Sequence, residues 1–305
     1  MTTRKTKKRG TKKSKPAKKT TAATAKKSSA KRSPRAALAV ATNEKKSPAE
    51  RAKAFLEAPL ATIQSDDTLQ ASLSVLRDRQ QPIKVRLAAL QSLQAATFAV
   101  IEFEPYREDY LATLRELVDD PDDELRQRVL GILARENDGY VQKRLLDGLQ
   151  EESKALVPPE KALQLLSYDV HAEAYPVARE IVNAPPNPEA KREALRLLSA
   201  DANSAPVFEK ILRDKNEDRD NRQISAAALQ AVKPKRFQEQ ARELLLDDKE
   251  YDDIQATALT ALEQFGDEKA VAKDEKLMAR VDELGSSKSA KIKKTAKRLM
   301  SRYRK

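Results

Sequence analysis

The chain is predicted to be all-α, a solenoid of stacked helix pairs. Three observations carry this. Apolar residues recur on one face at the helical period in segment after segment. The segments come in pairs divided by short turns rich in Pro, Asp and Asn, which stop one helix and cap the next. The chain is also poor in the residues other folds use, with six glycines and no cysteine in 305 residues.

Taken in order, residues 1–46 read as a disordered basic tail. They are built from Lys, Ala, Thr, Ser and a little Pro, and their richest apolar run is Ala36 to Ala41. Such a stretch buries too little apolar surface to offset its ordering entropy. The run is also too short for a signal peptide core, and the Lys-over-Arg balance is unlike a transit peptide. The folded body is expected to run from 47 to 305. It opens at Ser47-Pro48-Ala49-Glu50, a capping box with proline at the first helical position. A helix over residues 51–60 follows, interrupted by Pro59.

Beyond it one pattern repeats, as Val85-Arg86-Leu87-Ala88-Ala89-Leu90 and again as Leu125-Arg126-Gln127-Arg128-Val129-Leu130. Aligned copies start at 85, 125, 158, 190, 224, 254 and 292, spacings of 30 to 40 residues. Leu90, Leu130, Leu163, Leu195, Leu229 and Leu259 share one slot in this register. A second amphipathic segment precedes each copy, for example Leu69-Leu73-Leu76 and Val177-Ile181-Val182. Thr97 to Phe103 is the one strand-like stretch, and a helix tail explains it equally well. A helix pair at this period cannot bury its apolar face alone, whereas stacked neighbours can.

The consensus resembles HEAT repeats: Pro82 or Pro121 in the turn, Val85-Arg86 or Leu125-Arg126 opening the second helix, then Ala-Leu and a further Leu. The resemblance covers roughly residues 66–303 and implies about seven helix pairs. It also implies an arginine on each second helix facing an acid in a turn. That position reads Lys191, Ser225, Gln255 and Lys293 in later copies, so no continuous Asp–Arg ladder is expected. Tetratricopeptide repeats share the spacing, but their Trp and Gly-Tyr pattern is missing.

Most catalytic chemistry lacks its residues. No G-x-G-x-x-G, no G-x-x-x-x-G-K-[ST] and no H-E-x-x-H occurs. The one histidine, in His171-Ala172-Glu173, lacks the cysteines of a zinc deaminase site. The acidic stretches Asp119 to Glu124 and Asp214 to Asp218 fail the calcium-loop pattern at its glycine and twelfth positions. They read as capped turns. No catalytic residue, metal or cofactor is assigned. Among HEAT-like enzymes, alkylpurine glycosylases use aromatic residues in a basic cleft, whereas this chain has no Trp and an acidic body.

Charge supplies the functional expectation. Residues 1–50 hold 17 Lys/Arg against Glu44 and Glu50, residues 51–287 carry a net −12, and residues 288–305 hold nine basic residues and no acid. In the tail, Lys7, Lys8, Arg9, Lys12, Lys13, Lys15, Lys18, Lys19, Lys26, Lys27, Lys31, Arg32 and Arg35 are the candidate nucleic-acid contacts. Their Lys/Ala/Pro setting resembles the tails of linker histones. A Lys-rich coil binds by releasing counterions from phosphates, without reading bases. A merely solubilising tail, RNA, nuclear import and an anionic membrane surface are the other readings. The segment 288–305 is expected to be a basic capping helix, with Lys291, Lys293, Lys294, Lys297 and Arg298 as a secondary patch.

The resulting expectation is a soluble, intracellular, monomeric, non-enzymatic scaffold without a membrane span. It would hold a protein partner on the solenoid and nucleic acid, without sequence preference, on the tail. The alternative is an accessory or lyase-like subunit of the short-HEAT-repeat type, with the tail serving solubility or targeting.

Overall fold

In the computed structural model, which describes residues 33–169 and 172–303, every regular element is helical, and no strand occurs among the described residues. Seven of the helix pairs are those expected from the repeats. They are α3 (Asp66–Arg77) with α4 (Ile83–Ala96), α6 (Arg107–Arg115) with α7 (Asp123–Arg135), and α8 (Gly139–Gln150) with α9 (Pro159–Leu166). Then come α10 (Tyr175–Asn183) with α11 (Pro188–Leu198), α12 (Ala205–Arg213) with α13 (Arg219–Val232), α14 (Pro234–Leu246) with α15 (Asp252–Phe265), and α17 (Glu275–Leu284) with α18 (Ala290–Tyr303). Two short helices are inserted, α5 (Val100–Phe103) and α16 (Glu268–Lys273), and they account for the two long spacings of the repeat.

An eighth pair stands in front and corrects the tail boundary. Helix α1 (Pro34–Ala41) packs on α2 (Pro48–Glu57). Ser33 caps α1, and Ala37, Leu38 and Ala41 are buried. The body therefore includes residues 33–46, and Arg35 sits in the first turn of a packed helix. An eight-residue helix is marginal alone, so tertiary packing against α2 is what holds it.

Second helices contact one another in an unbroken series, α2, α4, α7, α9, α11, α13, α15 and α18. First helices pack on each other more sparsely. Between the rows runs a continuous core, from Leu38 through Leu90, Leu130, Leu195 and Leu259 to Leu299.

Turn chemistry follows the sequence. The Ser47–Glu50 capping box is formed in both directions, at 3.3 and 3.2 Å. Asp122, Asn187 and Asp218 cap α7, α11 and α13 through their side chains. The acidic stretches around Asp119 and Asp214 are thus capped turns, and no group of carboxylates among the described residues is arranged to hold a metal. Thr97 to Phe103 is a turn followed by α5, not a strand.

Candidate interaction surfaces

The fourth residue of a second helix ties it to a nearby turn in most pairs, the exceptions being Ala162 of α9 and Lys293 of α18. Arg86 Nε donates to Leu76 O at the end of its own first helix, 2.9 Å away, and its guanidinium grips Asp120 of the next turn at 2.6 and 3.3 Å. Arg222 repeats the arrangement, with Leu212 O at 3.1 Å and Glu250 at 2.6 and 2.8 Å. Arg51 makes only the first half, Nε to Ala41 O at 2.9 Å. Elsewhere the position is Arg126, which reaches Leu156 O of the next turn; Lys191, which pairs with Glu217; and Gln255, which donates to Asp247 O.

These contacts correct the repeat register. In α13 the arginine position is Arg222, not Ser225, and Ala226 rather than Leu229 is the counterpart of Leu130. In α9 the counterpart is Leu166 rather than Leu163. All four residues are buried, so a pattern of Ala and Leu fits either register.

The joints are electrostatically committed. Burial raises the Asp120 carboxyl, but the Arg86 hydrogen bonds and the Asp122 amide outweigh it and hold it below the ordinary carboxylate range. Burial likewise raises Glu250, and Arg222, Lys215 and the Tyr251 amide overcome it. Asp138 and Asp201 accept from Arg115 and Arg179 in the same manner, joining first helices to the turns that follow. These four carboxylates are therefore structural.

The C-terminal basic patch is a fixed surface. Ile292, Ala296, Leu299 and Tyr303 of α18 are buried, as their spacing requires. Tyr303 Oη donates to Leu262 O at 2.8 Å, and Gly266 lets it approach, since a Cβ there would stand 2.9 Å from that hydroxyl. The opposite face presents Lys291, Lys293, Lys294, Lys297 and Arg298 to solvent. Arg298 is tied to Glu263 at 2.8 Å, whereas the four lysines form no ion pair among the described residues. Lys7, Lys8, Arg9, Lys12, Lys13, Lys15, Lys18, Lys19, Lys26, Lys27, Lys31 and Arg32 lie outside the described residues, as does His171.

One surface had no counterpart in the sequence reading. Where α4 ends, Phe98, Val100 and Ile101 stand in water, 85%, 60% and 86% exposed. Their apolar run was visible in the sequence, but its exposure was not, because only the inserted turn sets it. No helix among the described residues is long and apolar enough to cross a membrane.

No family model matches the chain, and no curated protein matches it either. Among solved structures it is similar to the crystal structure of an engineered protein, at 14% identity and a TM-score of 0.45 over 89% of both chains. It is also similar to human deoxyhypusine hydroxylase in complex with glycerol, at 15% identity and a TM-score of 0.34, over 81% of this chain and 99% of that one. Neither likeness carries a residue, a ligand or an activity to this chain.

Proposed function

We propose that the protein is a non-enzymatic scaffold of HEAT-like repeats. It holds a protein partner along the solenoid and is tethered to nucleic acid by its basic segments, as a soluble intracellular monomer. The observation that supports the tether is the outward face of α18. Four lysines, without an ion pair among the described residues, are fixed on a helix whose other side is buried, so binding phosphate there costs little ordering of the backbone. The Lys-rich sequence of residues 4–32 adds fourteen Lys/Arg without an aromatic residue, which suits phosphate contact and not base stacking.

The test is a salt series with duplex DNA and, in parallel, single-stranded RNA. If about eight cations contact phosphates, the log–log slope of affinity against salt is about −7 for duplex DNA. Removing residues 1–32 should abolish most of that slope. Changing Lys291, Lys293, Lys294 and Lys297 to Gln should flatten the slope by about 0.9 for each phosphate no longer neutralised. Binding that does not respond to salt, or is unchanged by both alterations, overturns the tether.

A further inference from the structure

The segment between α4 and α6 carries the three most exposed large apolar side chains among the described residues. Phe98, Val100 and Ile101 lie within four residues and are 85%, 60% and 86% exposed. Scattered apolar residues on a surface are ordinary, but a cluster with a polar rim marks an interaction site. The cluster is also held firmly. Ala96 and Phe103 on either side of it are buried, and Phe103 packs edge-on against Tyr110 with ring centres 5.5 Å apart.

The flanking segment is acidic. Glu102, Glu104, Glu108 and Asp109 follow the cluster in the chain and are exposed, Glu104 and Glu108 in ion pairs with Arg107 and Arg115. Glu102 forms no ion pair among the described residues. Of the nearby arginines, Arg107 is occupied by Glu104 and Glu136, and Arg115 by Glu108 and Asp138.

We infer that this knuckle docks a basic peptide segment of another protein, one that carries at least one large aromatic or aliphatic side chain among its Lys or Arg residues. The inference rests on the scaffold reading and says where on the solenoid the partner sits. Charge complementarity selects the occupant. Carboxylates beside an apolar centre repel nucleic acid and favour a cationic chain, which reaches them faster and excludes acidic competitors. The chain's own basic segment does not qualify, because Met1 is the single large apolar residue in 1–32. Helix α18 of a second copy is basic, but Ile292 and Leu299 are buried beneath it.

The experiment is selection of a random peptide library displayed on phage against the full chain. Binding of the enriched peptides is then compared on the wild type, Phe98→Ser/Ile101→Ser and Glu102→Lys/Glu104→Lys. All four positions are exposed, and thermal melts of the variants confirm folding. The expected result is enrichment of peptides combining Lys or Arg with Phe, Trp, Leu or Ile. The apolar double change should weaken them at least about tenfold, the loss typical of removing an interface anchor. The charge-reversed variant should weaken them too, most strongly at low salt. Enriched peptides that are net acidic, or indifferent to both variants, overturn the knuckle and leave the scaffold reading standing. No enrichment at all counts against both. A wild-type dimer by sedimentation equilibrium that Phe98→Ser/Ile101→Ser dissolves assigns the surface to a second copy and also overturns the inference.

Discussion

The joint at Arg51 and the joint at Arg222 begin alike and end differently. Each arginine is the fourth residue of a second helix, and each donates Nε to the carbonyl ten residues earlier. That bond satisfies an end of the first helix that would otherwise lack a partner. Arg222 then finds Glu250 in the next turn, both side chains essentially removed from water. Arg51 finds no carboxylate, and its Nη2 is buried without a hydrogen bond among the described residues. Asp78, the one acid of the corresponding turn, instead accepts from the Gln80 amide and the Gln81 side chain. The bond within a pair is thus common to both joints, and the clamp between pairs is added where an acid is available. A clamped joint should resist local opening, and an unclamped one should fray.

A large effect follows from the clamp. Arg222→Met strips Glu250 of its buried partner, leaves it only Lys215 and the Tyr251 amide, and should cost about 3 kcal/mol, the low end for breaking a buried pair. Arg222→Met with Glu250→Met should recover most of that loss, because a well-packed apolar pair often equals a buried ion pair. Chemical denaturation of the single and double variants measures both. A double variant as unstable as the single would mean that the pair, and not the uncompensated charge, supplies the stability.

Leu130→Ala provides a scale without charge. Leu130 is fully buried in α7, and emptying its site should cost roughly 2–5 kcal/mol. Amide exchange should rise first in the pairs flanking α7, since repeats couple to neighbours. A change under about 0.5 kcal/mol, the scale of a surface substitution, would contradict its core position.

Arg51→Met should cost less, about 1–2 kcal/mol, the value of one carbonyl bond with no carboxylate abandoned. Deleting residues 1–46 should cost more than deleting 1–32, by about 2 kcal/mol, since only the longer deletion removes buried Leu38 of α1. Thermal melts of the two truncations decide between the boundary at 33 and one at 46. Equal melting points would return α1 to the tail.

Acid should separate the joints as well. The folded-state pKa values of Asp120 and Glu250 are lowered, so the stability they add is present above the ordinary carboxyl range and is lost as pH falls through their depressed values. The Arg51 joint has no carboxylate to protonate. Between neutral pH and pH about 3, Arg222→Met/Glu250→Met should therefore lose less stability than the wild type. Urea midpoints across that range report the difference, the smallest of these effects. Parallel losses would place the acid sensitivity elsewhere.

The stack was legible because its signals are local. Period, Ala-Leu cores and Pro or Asp turns fix the pairs from α3 onward, and Ser47 with Glu50 fixes the start of α2. Helix α1 was missed because Leu38 and Val40 are its only large apolar residues, and its order comes from α2 rather than from its own composition. The register at α13 was missed because Leu229 and Ala226 are both buried in an Ala-rich run, so aligning on Leu229 put Ser225 at the arginine position, and only the hydrogen bond from Arg222 to Leu212 O settles it in three dimensions. Of the interaction surfaces, the α18 face was readable from its period. The knuckle was not, because no sequence rule states that an apolar run at a helix end will face water.

The lysines on α18 bear on length as well as on binding. A solenoid whose last face matched its first could add copies head to tail and grow into a filament. Here the last face carries Lys291, Lys293, Lys294 and Lys297. The front end presents exposed Arg35, Lys45 and Lys46, with the Lys-rich sequence preceding them. Two positive ends repel at close approach. Like charge at the two ends of the described stack opposes head-to-tail addition of copies, and that opposition weakens as salt screens it.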